Sequence, residues 1–305
     1  MRGKLIRAGE VTLWLEEIGP PGGDVVLLVA GANGSAFMWP DGFVALLADK
    51  GYRVIRYDHR DTGRSTRRPF DEHPYGIEDL ARDAVAILDA CSVGRAHVVG
   101  LSMGGTIGQV LALDHLERLS SLTLMLTTGL DVDFAGNYLR AMRGEPPVGS
   151  LPTPRPDVVA ELGRMFTPGA TLEDELQRRV EQWRVLAGDV LPFDPDEFRR
   201  IEAAAIEHTG SLVPSTAHAR IRPVPTKRGE ELRRVRTPAL VIQGREDPLN
   251  PPPHGRHLAN LIPGATLVEI PGLGHALPSV AHERIAKVIL GHMRQHPTRV
   301  IDPEN

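Results

Sequence analysis

The chain alternates between short apolar runs and amphipathic segments, which is the pattern of an α/β fold. Apolar and polar residues alternate over positions 5–16 and predict an antiparallel hairpin. The run Val25–Val29 is apolar on both faces, as in a parallel strand that is buried on both sides. Further strands are predicted at 52–57, 96–100 and 122–126.

Apolar residues at helical spacing fill the gaps between these strands. Residues 43–48, 77–90 and 106–116 show this spacing, so strands and helices follow one another in turn. This order predicts a mostly parallel central sheet with right-handed crossover connections and helices on its faces.

The pattern changes after about Gly129, where a long helical stretch interrupted by prolines begins. Strands resume at 239–243 and 265–270, and a closing helix is predicted at 285–293. The stretch between them is interpreted as a helical insertion into one domain and not as a second independent domain. The predicted division is an α/β core of residues 1–128 and 238–305 and a helical cap of residues 129–237.

A serine flanked by glycines stands between a predicted strand and a predicted helix. The segment Gly100-Leu-Ser-Met-Gly is the Gly-x-Ser-x-Gly pattern of a nucleophile elbow. Such a turn strains the serine backbone, and a side chain at Gly100 or Gly104 would collide with neighbouring elements. The turn would hold the hydroxyl of Ser102 at the mouth of the sheet. The N–H of Met103, at the helix start, could then face a developing oxyanion.

A serine nucleophile needs a base within hydrogen-bond reach and an acid that orients the base. After an elbow of this kind the acid and the histidine follow in that order, each on a loop at the carboxyl end of a strand. Asp247 and His275 come directly after the last two predicted strands, so we predict a triad of Ser102, Asp247 and His275. Other candidates for the acid are Glu246, Asp131 and Asp133.

The loop after the Val25–Val29 strand is the expected source of a second oxyanion donor. Small residues dominate Gly31–Ser35, and we predict that the N–H of Ala32 pairs with that of Met103. An ordinary surface turn is the alternative interpretation of this loop. The predicted pocket residues are Asn33, Trp39, Phe134 and Trp183.

A dense polar segment, residues 58–65, follows the strand at 52–57. Adjacent charges are costly to desolvate unless they pair with one another. We therefore predict a structural network of hydrogen bonds and ion pairs beneath the pocket, and not a set of catalytic groups.

Composition and charge argue against several classes of partner and cofactor. The net charge is −4 and the pI about 6.3, which gives no electrostatic reason to expect a nucleic acid or an anionic membrane as partner. A single cysteine excludes an intramolecular disulfide. Since no phosphate loop, dinucleotide fingerprint or metal-ligand spacing is present, we predict neither a cofactor nor a metal. Without a long apolar segment near its start, the chain is expected to be cytoplasmic.

Four segments together resemble the α/β-hydrolase superfamily, and within it the methylesterases of anthracycline biosynthesis, of which aclacinomycin methylesterase is one. The segments are Asp58-His-Arg-Asp-Thr-Gly-Arg-Ser, Gly100-Leu-Ser-Met-Gly, Pro251-Pro-Pro-His-Gly-Arg-His-Leu-Ala and Pro271-Gly-Leu-Gly-His-Ala-Leu-Pro. The similarity covers nearly the whole chain and extends into the insertion, where Trp183-Arg-Val-Leu-Ala-Gly matches.

The resemblance implies hydrolysis of a carboxylic methyl ester on a glycosylated aromatic polyketide, with release of methanol. It places the nucleophile, acid and base on the three residues of the predicted triad, and the oxyanion donors on Ala32 and Met103. Position 32 is glycine in the relative, so the methyl group of Ala32 is expected to narrow the oxyanion hole. The stretch from His218 is more basic than its counterpart, with Arg220 and Arg222, and this difference bears on the substrate more than on the reaction.

Two other functions fit the same residues. A triad of this kind also serves broad-specificity carboxylester hydrolysis, C–C bond hydrolysis or perhydrolysis. The other alternative hypothesis is a non-catalytic binding protein on the same scaffold, and an intact triad makes this hypothesis less favourable. The predicted partner is a small-molecule ester, and the sequence leaves the oligomeric state open.

Overall fold

The structure, a computed structural model, describes residues 3–164 and 167–298. Within these residues one sheet of eight strands forms the centre of the fold. The strands are β1 Lys4–Ala8, β2 Val11–Ile18, β3 Val25–Val29, β4 Arg53–Tyr57, β5 Ala96–Leu101, β6 Leu119–Met125, β7 Ala239–Gly244 and β8 Thr266–Ile270.

The α-helices of the described residues pack on both faces of this sheet and over one of its edges. They are α1 Asp41–Ala48, α2 Ile77–Ala90, α3 Met103–Asp114, α4 Phe134–Met142, α5 Pro156–Gly163, α6 Leu172–Ala187, α7 Pro195–Thr209, α8 His254–Leu261 and α9 Ser279–Arg294. Three of the predicted helices begin earlier than the apolar periodicity indicated. Helix α1 begins at Asp41, α3 begins directly after the elbow serine, and α9 begins directly after Pro278, which stands at its N-cap.

The sheet has the strand order β1-β2-β4-β3-β5-β6-β7-β8. Strands β1 and β2 pair antiparallel with each other, and β2 pairs antiparallel with β4. All the remaining neighbours are parallel, so β3, β5, β7 and β8 end at the same edge of the sheet. The prediction of a mostly parallel sheet after an opening hairpin is confirmed.

Both faces of the sheet are buried, as the apolar strands require. Along β3, residues Val25, Leu27 and Val29 belong to one core cluster, with side chains of α2, α3 and α8. The intervening Val26 and Leu28 belong to the second cluster, with side chains of α1 and α9. Because successive side chains of a strand point to opposite faces, an uninterrupted apolar run identifies a strand covered on both sides.

The chain between β6 and β7 supplies helices α4–α7, and its described residues contain no strand. Small apolar clusters join these helices to the carboxyl edge of the sheet. Leu186 of α6 packs in one cluster with Leu249, and Phe198 of α7 packs in another with Ala276. Both contacts lie in loops that follow β7 and β8, so the insertion reaches the edge at which the predicted catalytic loops lie.

None of the helices in residues 3–164 and 167–298 combines the length and apolarity that crossing a lipid bilayer requires.

Candidate active site

The elbow serine occupies a strained turn between β5 and α3. Ser102 has φ 55° and ψ −117°, a combination that residues with a side chain rarely adopt. A Cβ atom on Gly100 would lie 2.2 Å from the carbonyl oxygen of Gly104, and one on Gly104 would lie 2.1 Å from that of Val29. Both glycines are therefore required for the turn that holds the Ser102 side chain at the carboxyl edge of the sheet.

Three side chains from three loops meet at this edge. His275 Nε2 lies 3.0 Å from Ser102 Oγ. On the other side of the ring, His275 Nδ1 lies 2.9 Å from Oδ2 and 3.0 Å from Oδ1 of Asp247. Asp247 is 2% exposed and His275 is 6% exposed. An imidazole bonded to a carboxylate on one side and to a hydroxyl on the other can take the hydroxyl proton during nucleophilic attack.

The carboxylate of Asp247 is held by its own loop. Its Oδ1 accepts hydrogen bonds from the backbone N–H groups of Leu249, at 2.9 Å, and Asn250, at 2.8 Å. The Asn250 side chain in turn donates to the carbonyl of Leu126 at the end of β6. These bonds fix the plane of the carboxylate, so that both of its oxygens lie close to Nδ1 of the imidazole.

The other candidate acids lie elsewhere. Asp131 accepts a hydrogen bond from Nε2 of His257 at 2.7 Å, and Asp133 caps the start of α4. Glu246 is exposed at the surface. The carboxylate that contacts His275 is that of Asp247.

The backbone of the His275 loop rests on the insertion, a contact that the sequence did not reveal. The His275 N–H donates to the carbonyl of Leu186, near the end of α6, at 2.6 Å. A Cβ atom on Gly274 would lie 2.2 Å from the carbonyl oxygen of Ala187. The glycine beside the histidine thus permits a close approach of two backbones, and the insertion helps to place the imidazole.

The loop after β3 runs beside Ser102; we call residues 30–36 the oxyanion loop. A Cβ atom on Gly31 would lie 3.4 Å from the Cβ of Ser102, and Ala32 lines the same cavity as the serine. Met103 is the first residue of α3, where backbone N–H groups have no acceptor within the helix. The two predicted oxyanion donors therefore belong to segments on either side of the serine.

A cavity of about 240 Å³ opens above Ser102 and His275. Its apolar lining comes from both the core and the insertion: Phe37, Met38, Leu162, Trp183, Leu186 and Leu249. Polar side chains of α6 and α7 also line it: Arg178, Arg179, Gln182 and Glu202. Trp183 Nε1 donates to Glu202 at 2.6 Å, and this bond fixes the indole in the cavity wall.

Two of the four predicted pocket residues line this cavity and two do not. Asn33 and Trp183 line it. Trp39 is fully buried in the core and stacks on Phe43, so an aromatic residue close to the loop in sequence is a core residue in space. Phe134 packs beside Tyr138 in the cluster behind the cavity wall, because helical spacing places the apolar side of α4 toward its own neighbours.

The polar segment 58–65 forms a network, as predicted. Oδ2 of the fully buried Asp58 accepts from the Arg64 N–H and lies 2.7 Å from Nε2 of His208 on α7. Arg60 makes a two-point ion pair with Asp83, at 2.6 and 2.7 Å. Since these charges are paired, their burial is compatible with a stable fold.

The basic stretch after His218 faces the surface of the core and not the cavity. Arg220 pairs with Asp71, and Arg222 lies 3.6 Å from Asp79. Arg220 thus joins the insertion to the segment before α2, and Arg222 joins it to the first turn of α2. No group of three or more potential ligands among residues 3–164 and 167–298 has a geometry that could hold a metal ion.

Comparison with known proteins places this geometry in a family. The family model described as alpha/beta hydrolase fold matches residues 24–280. The chain belongs to the α/β-hydrolase family. This confirms the resemblance stated from the four sequence segments.

The similarity to individual α/β hydrolases spans nearly the full chain. The chain is 52% identical over 291 residues to rhodomycin D methylesterase DauP of Streptomyces sp. strain C5, covering 95% of this chain and 98% of the relative. The identity and both coverages are the same for rhodomycin D methylesterase DnrP of Streptomyces peucetius. Among solved structures, the meta-cleavage product hydrolase CumD of Pseudomonas fluorescens IP01 aligns with a TM-score of 0.72 at 23% identity, covering 97% of this chain and 99% of that one. At that identity the structural likeness concerns the fold alone.

Proposed function

We propose that this α/β hydrolase is a serine-dependent methylesterase that cleaves the methyl ester of an anthracycline-type aromatic polyketide. The observation that carries the chemistry is the continuous relay from Asp247 through His275 to Ser102, with contacts of 2.9 and 3.0 Å. The support for the substrate is the 52% identity to two rhodomycin D methylesterases over nearly their whole length.

The reaction runs in two halves. His275 takes the proton of Ser102 as Oγ attacks the ester carbonyl, and the imidazolium then protonates the departing methoxide, so methanol leaves. Water, deprotonated by the same imidazole, attacks the acyl-enzyme and releases the carboxylic acid and Ser102. Asp247 holds the imidazole in the tautomer that carries its proton on Nδ1.

The negative charge of each tetrahedral intermediate falls on the former carbonyl oxygen. We assign its stabilisation to the backbone N–H groups of Ala32 and Met103, which flank the serine. Such donors act in a site from which water is largely excluded, and removing one typically costs about 10²–10³ in rate.

The cavity suits a fused-ring acyl group with polar substituents. Apolar side chains such as Met38, Leu186 and Leu249 line the cavity together with the polar side chains of Arg179 and Glu202 on α6 and α7. We infer that the ring system contacts the apolar part and that hydroxyl or sugar groups face α6 and α7. The whole segment 129–237 would then act as the cap of a core that carries the triad.

The test is incubation of the protein with rhodomycin-type anthracycline methyl esters in heavy-oxygen water. We expect the product to lack one methyl group and to carry heavy oxygen in its new carboxylate, with methanol released, because attack occurs at the acyl carbon. Ser102→Ala should reduce the rate roughly 10⁴-fold or more. Ser120→Ala, which removes a hydroxyl from β6, is the matched control and should retain the wild-type rate.

A panel of methyl esters of short acyl groups separates the proposed substrate from general esterase activity, because the leaving group is the same in every case. A higher kcat/KM for these simple methyl esters than for the polyketide methyl ester would overturn the assignment of substrate but not that of the triad. Turnover by Ser102→Ala at near wild-type rate would overturn the mechanism itself. We also expect the protein to act in the cytoplasm on a small-molecule ester, which fractionation of producing cells would test.

A further inference from the structure

The oxyanion loop has few side chains that could hold it in place. Residues 30–36 include two glycines and three alanines, and Asn33 adopts a left-handed conformation with φ 61°. Small residues let the backbone approach a ligand, but they supply little packing. The direction of the Ala32 N–H must therefore be set by hydrogen bonds to the backbone of the loop.

Two such bonds come from the neighbouring polar segment of the core. His59 Nε2 lies 3.0 Å from the carbonyl oxygen of Ala30, and Oδ1 of Asp58 accepts from the N–H of Ala36 at 2.8 Å. These bonds hold the two ends of the loop. Its centre closes as a turn, in which the Gly34 N–H donates to the carbonyl of Gly31 at 3.3 Å and the Gly31 N–H donates to Sδ of the nearby Met38 at 3.1 Å. The Asn33 N–H, in the middle of this turn, makes a third contact beyond the segment.

The third contact comes from the insertion. The Asn33 N–H donates to Nδ1 of His218 at 2.8 Å, across 185 positions of sequence. The other ring nitrogen of His218, Nε2, lies 3.1 Å from the carbonyl oxygen of Arg60. An N–H donor at Nδ1 and a carbonyl acceptor at Nε2 admit one neutral tautomer, in which the proton is on Nε2.

The surroundings of His218 favour that neutral ring. Its side chain is buried, with residue exposure of 5%, and it meets the rings of His59 and Tyr75 edge to face. Burial lowers the pKa of His218 to about 4, and the nearby Arg60 charge acts in the same direction. The ring can therefore accept the Asn33 N–H throughout the neutral pH range.

We propose that His218 is a positioning residue for ester hydrolysis: by accepting the Asn33 N–H it fixes the peptide after Ala32 and so directs the Ala32 N–H toward the reacting carbonyl oxygen. The inference rests on the proposed function, since it concerns the oxyanion hole of that reaction. It adds a catalytic consequence to a residue that lies outside the triad and in the insertion. The insertion then has two effects when it packs on the core: it covers the pocket, and it completes the oxyanion hole.

The experiment compares His218→Leu with His218→Asn. Leucine and asparagine have nearly the same shape, so both variants leave the same space and differ in whether an acceptor oxygen replaces Nδ1. For hydrolysis of a p-nitrophenyl ester we expect His218→Leu to lose about 10- to 100-fold in kcat with KM within about threefold. His218→Asn should stay within about fivefold of wild type, because its Oδ1 can accept the Asn33 N–H.

Binding of a transition-state analogue provides a second readout. A trifluoromethyl ketone adds to Ser102 and places an oxyanion in the hole, so its affinity should fall in parallel with kcat/KM across the variants. His97 offers a matched control: it is fully buried, bonded to Ser121 at 2.8 Å, and lies at the opposite end of β5 from the elbow. The leucine and asparagine variants of His97 should alter thermal stability and leave kcat and analogue affinity unchanged.

The outcomes of these experiments distinguish the positioning role of His218 from the proposed function. Equal kcat values for His218→Leu and His218→Asn, or a loss confined to KM, would overturn the positioning role. If His218→Leu does not fold, the decision passes to wild-type NMR, where a proton on Nδ1 of His218 would refute the bond. Failure of a fluorophosphonate probe to label Ser102 in the wild-type protein would instead overturn the proposed function, on which the inference rests.

Discussion

Replacement of Asp247 by asparagine tests the relay with almost no change of shape. Oδ1 of Asp247 accepts two backbone N–H groups, from Leu249 and Asn250, and lies 3.0 Å from Nδ1 of His275, whereas Oδ2 lies 2.9 Å from that nitrogen. In Asp247→Asn the amide oxygen must take the position that faces the two N–H donors. The amide NH₂ group is thereby placed about where Oδ2 was, 2.9 Å from Nδ1.

This orientation reverses the tautomer of the histidine. Nδ1 would face the amide NH₂ group at the shorter distance, while the amide oxygen is already engaged by two N–H donors. The tautomer with its proton on Nε2 is then favoured, and Nε2 is the atom that must accept the Ser102 proton. The variant also loses the negative charge that stabilises the imidazolium in the transition state. The equivalent exchange in serine proteases lowers kcat on the order of 10⁴-fold, which corresponds to roughly 5 kcal/mol of transition-state stabilisation.

The assay measures kcat/KM on the polyketide methyl ester and on a p-nitrophenyl ester for wild type and Asp247→Asn. Nitrogen NMR of His275 reports the tautomer directly, with the proton expected on Nδ1 in wild type and on Nε2 in the variant. Glu246→Gln removes an adjacent, exposed carboxylate and should stay within about threefold of wild type. Asp131→Asn tests the rival acid, which contacts His257.

Two results would refute the reasoning. The first is an Asp247→Asn rate within about tenfold of wild type, because an inverted tautomer is incompatible with such a rate. The second is a large loss in Asp131→Asn together with a small loss in Asp247→Asn. Thermal unfolding of each variant shows whether a lost rate reflects a lost fold.

Two further predictions concern stability. Gly104→Ala should lower the free energy of unfolding by about 3 kcal/mol, because its Cβ would lie 2.1 Å from a backbone oxygen of β3. Gly291→Ala in α9 has open space around its Cβ and should raise the free energy of unfolding by up to about 1 kcal/mol. Denaturant titration measures both changes, and a Gly104→Ala variant as stable as wild type would contradict the packing of the elbow. Burial lowers the pKa of His59 to about 3 and those of His97 and His218 to about 4. Below pH about 6.5 the unfolded chain therefore binds more protons than the folded one, and these histidines should remove roughly 4 kcal/mol of stability per pH unit as pH falls toward 5. Unfolding titrations between pH 5 and 7 check this slope, and His97→Asn should reduce it by roughly 1 kcal/mol per pH unit; an unchanged slope would contradict the assignment.

Local patterns in the amino-acid sequence were sufficient to predict the fold class and the candidates for the triad. Apolar runs on both faces identify parallel strands whatever their neighbours are, because strand periodicity is a local property. The elbow is also local, since Gly100 and Gly104 are required by atoms only a few residues away or in the adjacent strand. Once strands and their order are known, the loops of Asp247 and His275 fall at one edge of the sheet by topology.

Which other side chains reach that edge depends on long-range packing, which local patterns do not record. Trp39 and Phe134 have the chemistry of pocket residues, yet packing against Phe43 and Tyr138 removes them from the cavity. His218 gave no signal of its role in the sequence, because its partner Asn33 lies 185 positions away and the bond is to the backbone. Contacts made by the insertion depend on how its helices dock, and docking is the sum of many long-range contacts that no local pattern records.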